Sequence, residues 1–356
     1  MREPLSHRNG RTLIRTAAGH SGLRFNRFYQ ALSLCSVLLL PNLYSAPVSA
    51  QATEQAVYAI QTPAAKNSVL LDVVRAGQRL VAVGDRGHIL YSDNDGQIWL
   101  QAKVPTQQML TAVYFVDDQY GWAVGHDALI LSTTDGGESW ARQYDDVEQE
   151  SPLLDIWFQD RKTGYAVGAY GMLLVTHDGG QDWQRIDELL DNEDGYHLNA
   201  ISAVPDAGLF IVGEMGVMFR SADWGESWEA LAGPYQGSLF GVLAAQQSEH
   251  VVVYGLRGHI FRSTDFGDTW LQTQVSTDSG LLQFGLAGAS QLRNGDLVIV
   301  GHGGTVLRSS DGGASFTVSN RTDRASLTGV VADEHDGLIL VGQNGVYHTD
   351  AQGNDK

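Results

Sequence analysis

One short motif recurs along this chain and constrains its fold more than any other feature. It reads Ser/Thr-x-Asp-x-Gly-x-x-Trp, and its clearest copy runs from Ser221 to Trp228. Short polar side chains such as Asp and Ser bond the backbone amides of their own turn, and Gly adopts backbone shapes that other residues resist. The Trp then enters the next strand, where it can fill an apolar gap. The motif therefore predicts a tight turn between two strands, and nothing in it requires catalysis.

The copies of the motif are spaced 39 to 46 residues apart. Seven units of about forty residues, each containing short β runs, indicate the blades of a propeller. We predict an all-β fold, a seven-bladed β-propeller over residues 51–356. The predicted blades cover 68–100, 108–142, 152–185, 196–230, 238–272, 282–318 and 326–350. The Asp position of the motif is occupied in turn by Asn94, Asp135, Asp178, Asp223, Asp265, Asp311 and Asp350, and we predict a structural role for all seven.

The seventh unit ends soon after its turn, with only residues 351–356 remaining, so it lacks an outer strand. The segment 56–60, Ala-Val-Tyr-Ala-Ile, precedes the first unit and has no partner of its own. Exposed sheet edges must be protected, and propellers do this by closing their ring. We therefore predict that residues 56–60 complete the seventh blade.

Residues 1–50 have the features of a signal peptide. Six arginines and one acidic residue are followed by an apolar run over 31–40 and by small residues before Ala50. The run is shorter than the roughly twenty residues of a spanning helix, although an uncleaved membrane anchor is the alternative. We predict cleavage near Ala50 and an exported, periplasmic protein. Cleavage would remove Cys35, the only cysteine, so the mature protein would fold without disulfides.

The chain is strongly acidic, with a formal net charge of −18. Such a surface repels nucleic acid and anionic lipid at long range and favours cationic partners. We therefore expect no nucleic-acid partner, and a protein that is peripheral to the membrane rather than inserted in it.

The repeated turns resemble the Asp boxes of bacterial-neuraminidase-repeat propellers. Together with the Gly-Trp/Tyr-Ala-Val-Gly segments that begin at Gly121 and Gly164, they make the chain similar to the photosystem II stability and assembly factor family. The resemblance implies a secreted, non-catalytic propeller that assembles or stabilises a membrane protein complex through protein–protein binding. It implies a membrane complex or one of its subunits as partner, and we further expect a monomeric protein without a cofactor.

A residue that is repeated in every blade is expected to stabilise the blade itself. We therefore expect binding residues where the blades differ in sequence, on the face opposite the Asp boxes. There, turns follow the second strand of each unit, near the blade-to-blade connections, in the region where propellers commonly bind. The alternative is a set of ordinary solvated turns. The candidate residues are Asp85, Arg86, His126, Asp127, Tyr170, Glu214, Met215, Arg257, His302, Gln343 and Asn344.

Two acidic segments in neighbouring blade connections form a second candidate, which we call the acidic rim. It could dock a basic loop of a partner or a weakly bound calcium ion, and the alternative is a solvated acidic face. Its residues are Asp145, Asp146, Glu148, Glu150, Asp187, Glu188, Asp191, Glu193 and Asp194.

A glycan-binding or glycoside-hydrolysing, sialidase-like propeller is the alternative function. Similarity to sialidases would require three arginines, a Tyr nucleophile and a nearby acid. Only Arg86 and Arg257 fall among the candidate turns, with Tyr170 and Glu214 as a possible nucleophile and base. The histidines of these turns belong to different units and lack the paired spacing of metal ligands. We therefore predict no catalytic residues and no metal site.

Overall fold

The structure is a computed structural model, and it describes residues 57–245, 248–335 and 337–356. The predicted signal peptide and its cleavage site near Ala50 lie outside these residues. Among the residues described, no helix is both long and apolar enough to cross a membrane.

The second strand of each repeat is apolar and covered, except at Arg79, the half-buried first residue of Arg79–Gly84. Leu338–Gly342 and Val251–Gly255, for example, are buried at every position. Strands are continuously apolar where both faces of their sheet are covered, and here the neighbouring blades cover them. These strands therefore lack the alternation of apolar and polar residues that is typical of half-exposed strands, because neighbouring blades stack against both of their faces.

The described residues form seven antiparallel blades, and the prediction of a seven-bladed propeller is confirmed. In each blade the strands lie side by side in chain order. The first three blades contain β1 (Leu70–Ala76), β2 (Arg79–Gly84), β3 (Ile89–Ser92) and β4 (Leu100–Gln101); β5 (Leu110–Phe115), β6 (Gly121–Gly125), β7 (Ile130–Thr133) and β8 (Ala141–Tyr144); and β9 (Leu153–Phe158), β10 (Gly164–Gly168), β11 (Leu173–Thr176) and β12 (Gln184–Arg185).

The remaining blades follow the same order, except that three strands are described in the seventh. They contain β13 (Leu198–Val204), β14 (Gly208–Gly213), β15 (Met218–Ser221) and β16 (Glu229–Ala230); β17 (Leu239–Ala244), β18 (Val251–Gly255), β19 (Ile260–Ser263) and β20 (Leu271–Gln272); β23 (Leu286–Gln291), β24 (Leu297–Gly301), β25 (Thr305–Ser309) and β26 (Thr317–Asn320); and β27 (Leu327–Ala332), β28 (Leu338–Gly342) and β29 (Gly345–Thr349). A small hairpin, β21 (Ser276–Thr277) and β22 (Gly280–Leu281), lies between the fifth and sixth blades.

Short 3-10 helices connect these strands. They are Pro63–Asn67, Asp85–Gly87, Val147–Gln149, Ala169–Gly171, Asp187–Leu189, Glu214–Gly216, Leu256–Gly258 and His302–Gly304. Five of them, beginning with Asp85–Gly87, are the turns between the second and third strands of blades one, three, four, five and six.

The ring closes by direct packing of the seventh blade on the first. Leu70 and Leu80 share one apolar cluster with Ile339 and Val341. The hydroxyl of Thr328 donates to the carbonyl of Leu70 at 2.8 Å. The blades therefore meet through their inner strands, as the other neighbouring blades do.

The prediction that residues 56–60 complete the seventh blade is wrong. The amide of Ala59 donates to the carbonyl of Val104 at 2.9 Å, so this segment lies along the outer edge of the first blade. The seam between the first and seventh blades is covered instead by Pro63–Asn67, which contacts β29 and buries Ala65. Because Pro63–Asn67 already lies against β29, the residues before it pack on the first blade instead.

Candidate functional site

The Asp-box turns are held by their own side chains. In the copy that begins at Ser221, the Ser221 hydroxyl donates to Asp223 at 2.7 Å and accepts from the amide of Gly225 at 2.7 Å. The same carboxylate accepts from the amide of Ser227 at 2.9 Å and from its hydroxyl at 2.6 Å. The Ser227 and Ser221 hydroxyls, with the Ser227 amide, lower the pKa of Asp223 to about 2.

The face of the ring that carries these turns, which we call the box face, also links neighbouring blades. Arg79 of the first blade donates to the carbonyl of Gly136 in the second, and Arg220 of the fourth donates to that of Phe266 in the fifth. Thr273 of the fifth blade donates to the carbonyl of Gly313 in the sixth at 2.8 Å. The repeated residues of the box face therefore act in turn formation and blade docking.

The opposite face, which we call the connection face, carries the turns after the second strands together with the blade connections. The amide of Asp146 in a connection donates to the carbonyl of Asp127 in a turn at 2.9 Å. In five blades the central turn residue is a non-glycine residue with positive φ: Arg86 at 55°, Asp127 at 59°, Tyr170 at 57°, Met215 at 54° and Arg257 at 57°. This left-handed region is costly for residues other than glycine. The sixth blade has Gly303 in the corresponding turn.

Blades three to six each contribute an exposed apolar side chain to the connection face, and we call this set of residues the apolar crescent. Its residues are Tyr170, Met215, Phe240, Leu256 and Phe284, with exposed fractions from 36% to 65%. The rings of Phe240 and His302 both lie against Gly285, and Phe284 packs against Gly303. A soluble surface gains nothing from displaying aromatic side chains together, and such patches mark interaction sites.

Three members of the crescent, Phe240, Leu256 and Phe284, are absent from the sequence-based candidates. Phe240 is the second residue of an inner strand, where the equivalent residues in the second and seventh blades are Thr111 and Thr328. Those threonines donate to inner-strand carbonyls of the next blade. A phenylalanine in place of such a threonine is the signal that could have identified this position.

His197, also missing from the sequence-based candidates, brings together two of the predicted residues. The amide of Tyr170 donates to Nδ1 of His197 at 2.8 Å, and the Tyr170 ring meets the imidazole edge to face. The His197 Nε2 lies 3.9 Å from a Glu214 carboxylate oxygen. The imidazole of His197 therefore lies between Tyr170 and Glu214.

The other residues needed for a sialidase-like site do not gather there. Arg86 belongs to the first blade and Arg257 to the fifth. Arg86 makes its ion pair with the adjacent Asp85 at 3.4 Å. The remaining predicted residues, His126, His302, Gln343 and Asn344, are exposed turn residues of blades two, six and seven. They are spread around the ring and do not converge on one pocket.

The acidic rim keeps most of its charge unpaired within the described residues. Asp145 pairs with Arg142 at 3.3 Å, and Asp187 pairs with Arg185. Arg185 also donates to the side chain of Gln149 at 2.9 Å, which joins the two acidic segments. The other seven acidic residues of the rim make no salt bridge with any residue that the structure describes. The rim therefore keeps a net negative charge, and its second segment ends beside Gly195, which lies near the backbone of Tyr170.

One cluster with the spacing of metal ligands occurs among the described residues, and it lies outside every predicted site. It consists of Asp95, Asp333 and His335. Arg75 donates to Asp95 at 2.7 Å, and Lys356 donates to Asp333. Cationic side chains therefore already occupy both carboxylates.

The family model described as "Photosynthesis system II assembly factor YCF48" matches residues 91–151 and 143–283, more than half of the chain. The chain belongs to this family. Among curated relatives, the "Photosystem II assembly lipoprotein Ycf48" of Picosynechococcus sp. is 39% identical over 134 residues, which are 37% of this chain and 39% of the relative. The chain spans less than half the length of the curated relatives it matches.

Solved structures of family members share the fold. "YCF48 from Cyanidioschyzon merolae" has a TM-score of 0.61 and 18% identity, covering 81% of this chain and 96% of that one. "YCF48 bound to D1 peptide" has a TM-score of 0.60 and 20% identity, covering 81% and 94%. At this identity the likeness shows the propeller fold, and the family is shown by the sequence match.

Proposed function

We propose that this protein is a non-catalytic assembly or stability factor that binds a segment of a membrane protein complex on its connection face. Family membership supports the class of function, and one relative with the same fold has been solved with a peptide bound. We further propose that it acts as an exported, peripheral monomer. The curated relative named above is an assembly lipoprotein.

The apolar crescent is the observation that carries this proposal. Tyr170 is 65% exposed and Met215 is 50% exposed, and both stand on left-handed backbone. Folding gains little from an exposed side chain at a strained position, and strain of this kind is concentrated at binding sites. Aromatic and methionine side chains are also enriched in the buried centres of protein interfaces.

The acidic rim indicates the charge of the partner segment. It lies beside Tyr170, at one end of the crescent, and it is negative over two consecutive blade connections. A segment with apolar side chains next to basic ones would match both surfaces. Charge complementarity of this kind increases the association rate and sets the orientation of the complex.

Glycine substitutions at the crescent separate binding from folding. Tyr170→Gly combined with Met215→Gly removes two contact side chains and relieves two strained positions, so stability should stay the same or rise by about 1 kcal/mol. A photo-crosslinking residue at position 256, an exposed crescent position that the double variant leaves unchanged, followed by affinity capture from cells, should trap a subunit of a membrane complex. The double glycine variant should lower capture at least tenfold.

Trp224→Gly is the matched control, because Trp224 is also exposed and at positive φ, 62°, but lies on the box face. Capture should be unchanged in this variant. Loss of capture in Trp224→Gly with retention in the double variant would place binding on the box face. Saturable binding on a glycan array, with no membrane protein captured, would favour the glycan-binding alternative and refute the proposal.

A further inference from the structure

The connection that follows the third blade packs over the turn that carries Tyr170. A Cβ at Gly171 of this turn would lie 2.6 Å from the side-chain nitrogen of Asn192 in the connection. Asn192 also donates to the carbonyl of Tyr196 at 2.9 Å and accepts from its amide at 3.1 Å. The connection is therefore held by its own hydrogen bonds, and it brings His197 to the Tyr170 turn.

The backbone and the side chain of His197 bond to the turns of two different blades. The amide of Glu214, in the fourth blade, donates to the His197 carbonyl at 2.8 Å, and the His197 amide donates to a Glu214 carboxylate oxygen at 3.4 Å. The side chain bonds to the turn of the third blade, because Nδ1 accepts from the amide of Tyr170 at 2.8 Å. His197 therefore links the turns that present Tyr170 and Met215, two residues of the apolar crescent.

The side-chain bond to the turn amide is specific to the third blade. Tyr170 has a φ of 57°, which is a costly conformation for a bulky residue, so this bond stabilises a strained turn. At the corresponding position of five other turns, no central amide donates to a side chain of the residues that the structure describes. Those central residues are Arg86, Asp127, Met215, Arg257 and Gly303.

The bond from Tyr170 to His197 depends on the charge of the imidazole. A ring nitrogen that accepts a hydrogen bond carries no proton, so the bond requires the neutral ring with its proton on Nε2. Histidine is the side chain whose charge ordinarily changes between about pH 5 and pH 8. In the imidazolium both ring nitrogens are donors, so an Nδ1–H would face the Tyr170 N–H. Protonation therefore removes the acceptor that holds the Tyr170 turn.

The charged groups that face the imidazole are acidic. Glu214 lies 3.9 Å from Nε2, and it has no other ion-pair partner among residues 57–245, 248–335 and 337–356. The turn that carries Tyr170 contributes no charged side chain. The connection that contains His197 contributes further acids, which are Asp191, Glu193 and Asp194. An imidazolium would therefore gain attraction to Glu214 while it loses the amide of Tyr170.

We propose that His197 is a pH-sensitive positioning residue of the apolar crescent. Its neutral imidazole holds the Tyr170 turn in place, and its protonation releases that turn. The consequence for binding rests on the proposed function, in which Tyr170 contacts the partner segment. Capture of the partner should then be strongest above about pH 7 and weakest near about pH 5.5.

The Tyr170 amide tests the hydrogen bond without any partner. In amide NMR spectra of the purified chain between about pH 8 and pH 5, its resonance should move with the same midpoint as the His197 ring resonances. His197→Asn supplies an amide oxygen in place of Nδ1 and does not titrate in this range, so the Tyr170 resonance should stay in place. A Tyr170 resonance that does not follow His197, or that moves equally in His197→Asn, would overturn the proposal.

Photo-crosslinking from position 256 measures the consequence for binding. Capture by the wild type should fall about fivefold between about pH 7.5 and pH 5.5, which is the effect of losing one hydrogen bond. His197→Asn, the conservative variant, should keep the higher level of capture at both pH values, whereas His197→Ala should lower capture at both. His126→Asn, at an exposed histidine of the second blade, is the matched control and should keep the wild-type pH dependence.

The two measurements separate this proposal from the proposed function. A Tyr170 amide that follows His197, with no partner captured at any pH, would refute the proposed function and support the positioning role. Capture with the same pH dependence in wild type and His197→Asn would refute the positioning role and leave the proposed function in place.

Discussion

Asp155 should make the stability of this protein fall as the pH rises from 5 to 8. Burial raises the pKa of this β9 residue from 3.8 to about 7 in the folded state. Between these values the folded protein holds a proton that the unfolded chain releases, so folding is favoured at the acidic end of the window and loses this contribution as the pH increases. One pKa unit is worth about 1.4 kcal/mol, so the full shift corresponds to about 4 kcal/mol.

Only part of this energy develops in an accessible pH range. About 2.6 kcal/mol falls between pH 5 and pH 8, and contact with channel water screens the charge, so we expect about 2 kcal/mol. Asp155→Asn removes the titration. The assay is reversible urea unfolding at pH 5, 6, 7 and 8 in EDTA, comparing wild type with Asp155→Asn. The slope of stability against pH is the readout, because the asparagine amide also changes the absolute stability.

Titrating groups that are not coupled to Asp155 cancel in this comparison, whereas Asp72, whose pKa burial also raises and whose charge acts on Asp155, does not. Burial lowers the pKa of His88, which makes stability rise with pH near 6, but His88 is present in both proteins. The Asp-box carboxylates with a pKa of about 2, such as Asp223 and Asp311, affect stability only below about pH 5. Asp191→Asn, at an exposed carboxylate, controls for a general change in net charge. Parallel pH profiles for wild type and Asp155→Asn would refute the reasoning.

Three further predictions concern stability. Trp140→Ala removes a buried indole that also donates to the carbonyl of Gly137, and urea unfolding should show that the free energy of unfolding falls by about 3–5 kcal/mol. Trp228→Ala, at a half-buried indole, should cost less. Equal losses in the two variants would contradict this placement. Asp223→Ala removes the acceptor of the Ser221 and Ser227 hydroxyls and should cost about 1–2 kcal/mol at pH 7, with the difference from wild type shrinking as the pH falls towards 2. Ala65→Asp places a charge in the seam between the first and seventh blades and should cost about 3 kcal/mol, and an unchanged melting curve would show that Pro63–Asn67 does not seal the ring.

The blade pattern could be predicted from sequence because its physics is local. Each Asp-box turn is closed by hydrogen bonds between residues two and four positions apart, such as Ser221 to Asp223 and Asp223 to Ser227. Interactions over so short a distance leave the same residue types at the same spacing in every copy. The motif therefore identified the turn, its repetition identified the blade, and the number of copies identified a seven-bladed ring.

The position of residues 57–60 depended on competition between distant partners. A short apolar segment can pair with any free edge, and the sequence alone favoured the incomplete seventh blade. In the structure the edge of that blade is covered by Pro63–Asn67, and Ala59 bonds Val104 of the first blade instead. Pairing with the first blade and pairing with the seventh differ in free energy through long-range packing, and no local sequence pattern reports that packing.

The candidate functional surfaces could likewise be predicted from the sequence only in part. The sequence alone placed Tyr170, Met215 and the acidic rim on the face opposite the Asp boxes, because position within a repeat determines the face. Only the tertiary structure added His197, Phe240 and Phe284 to this face. These residues lie in different blades, and their proximity arises from the curvature of the ring rather than from any spacing along the chain.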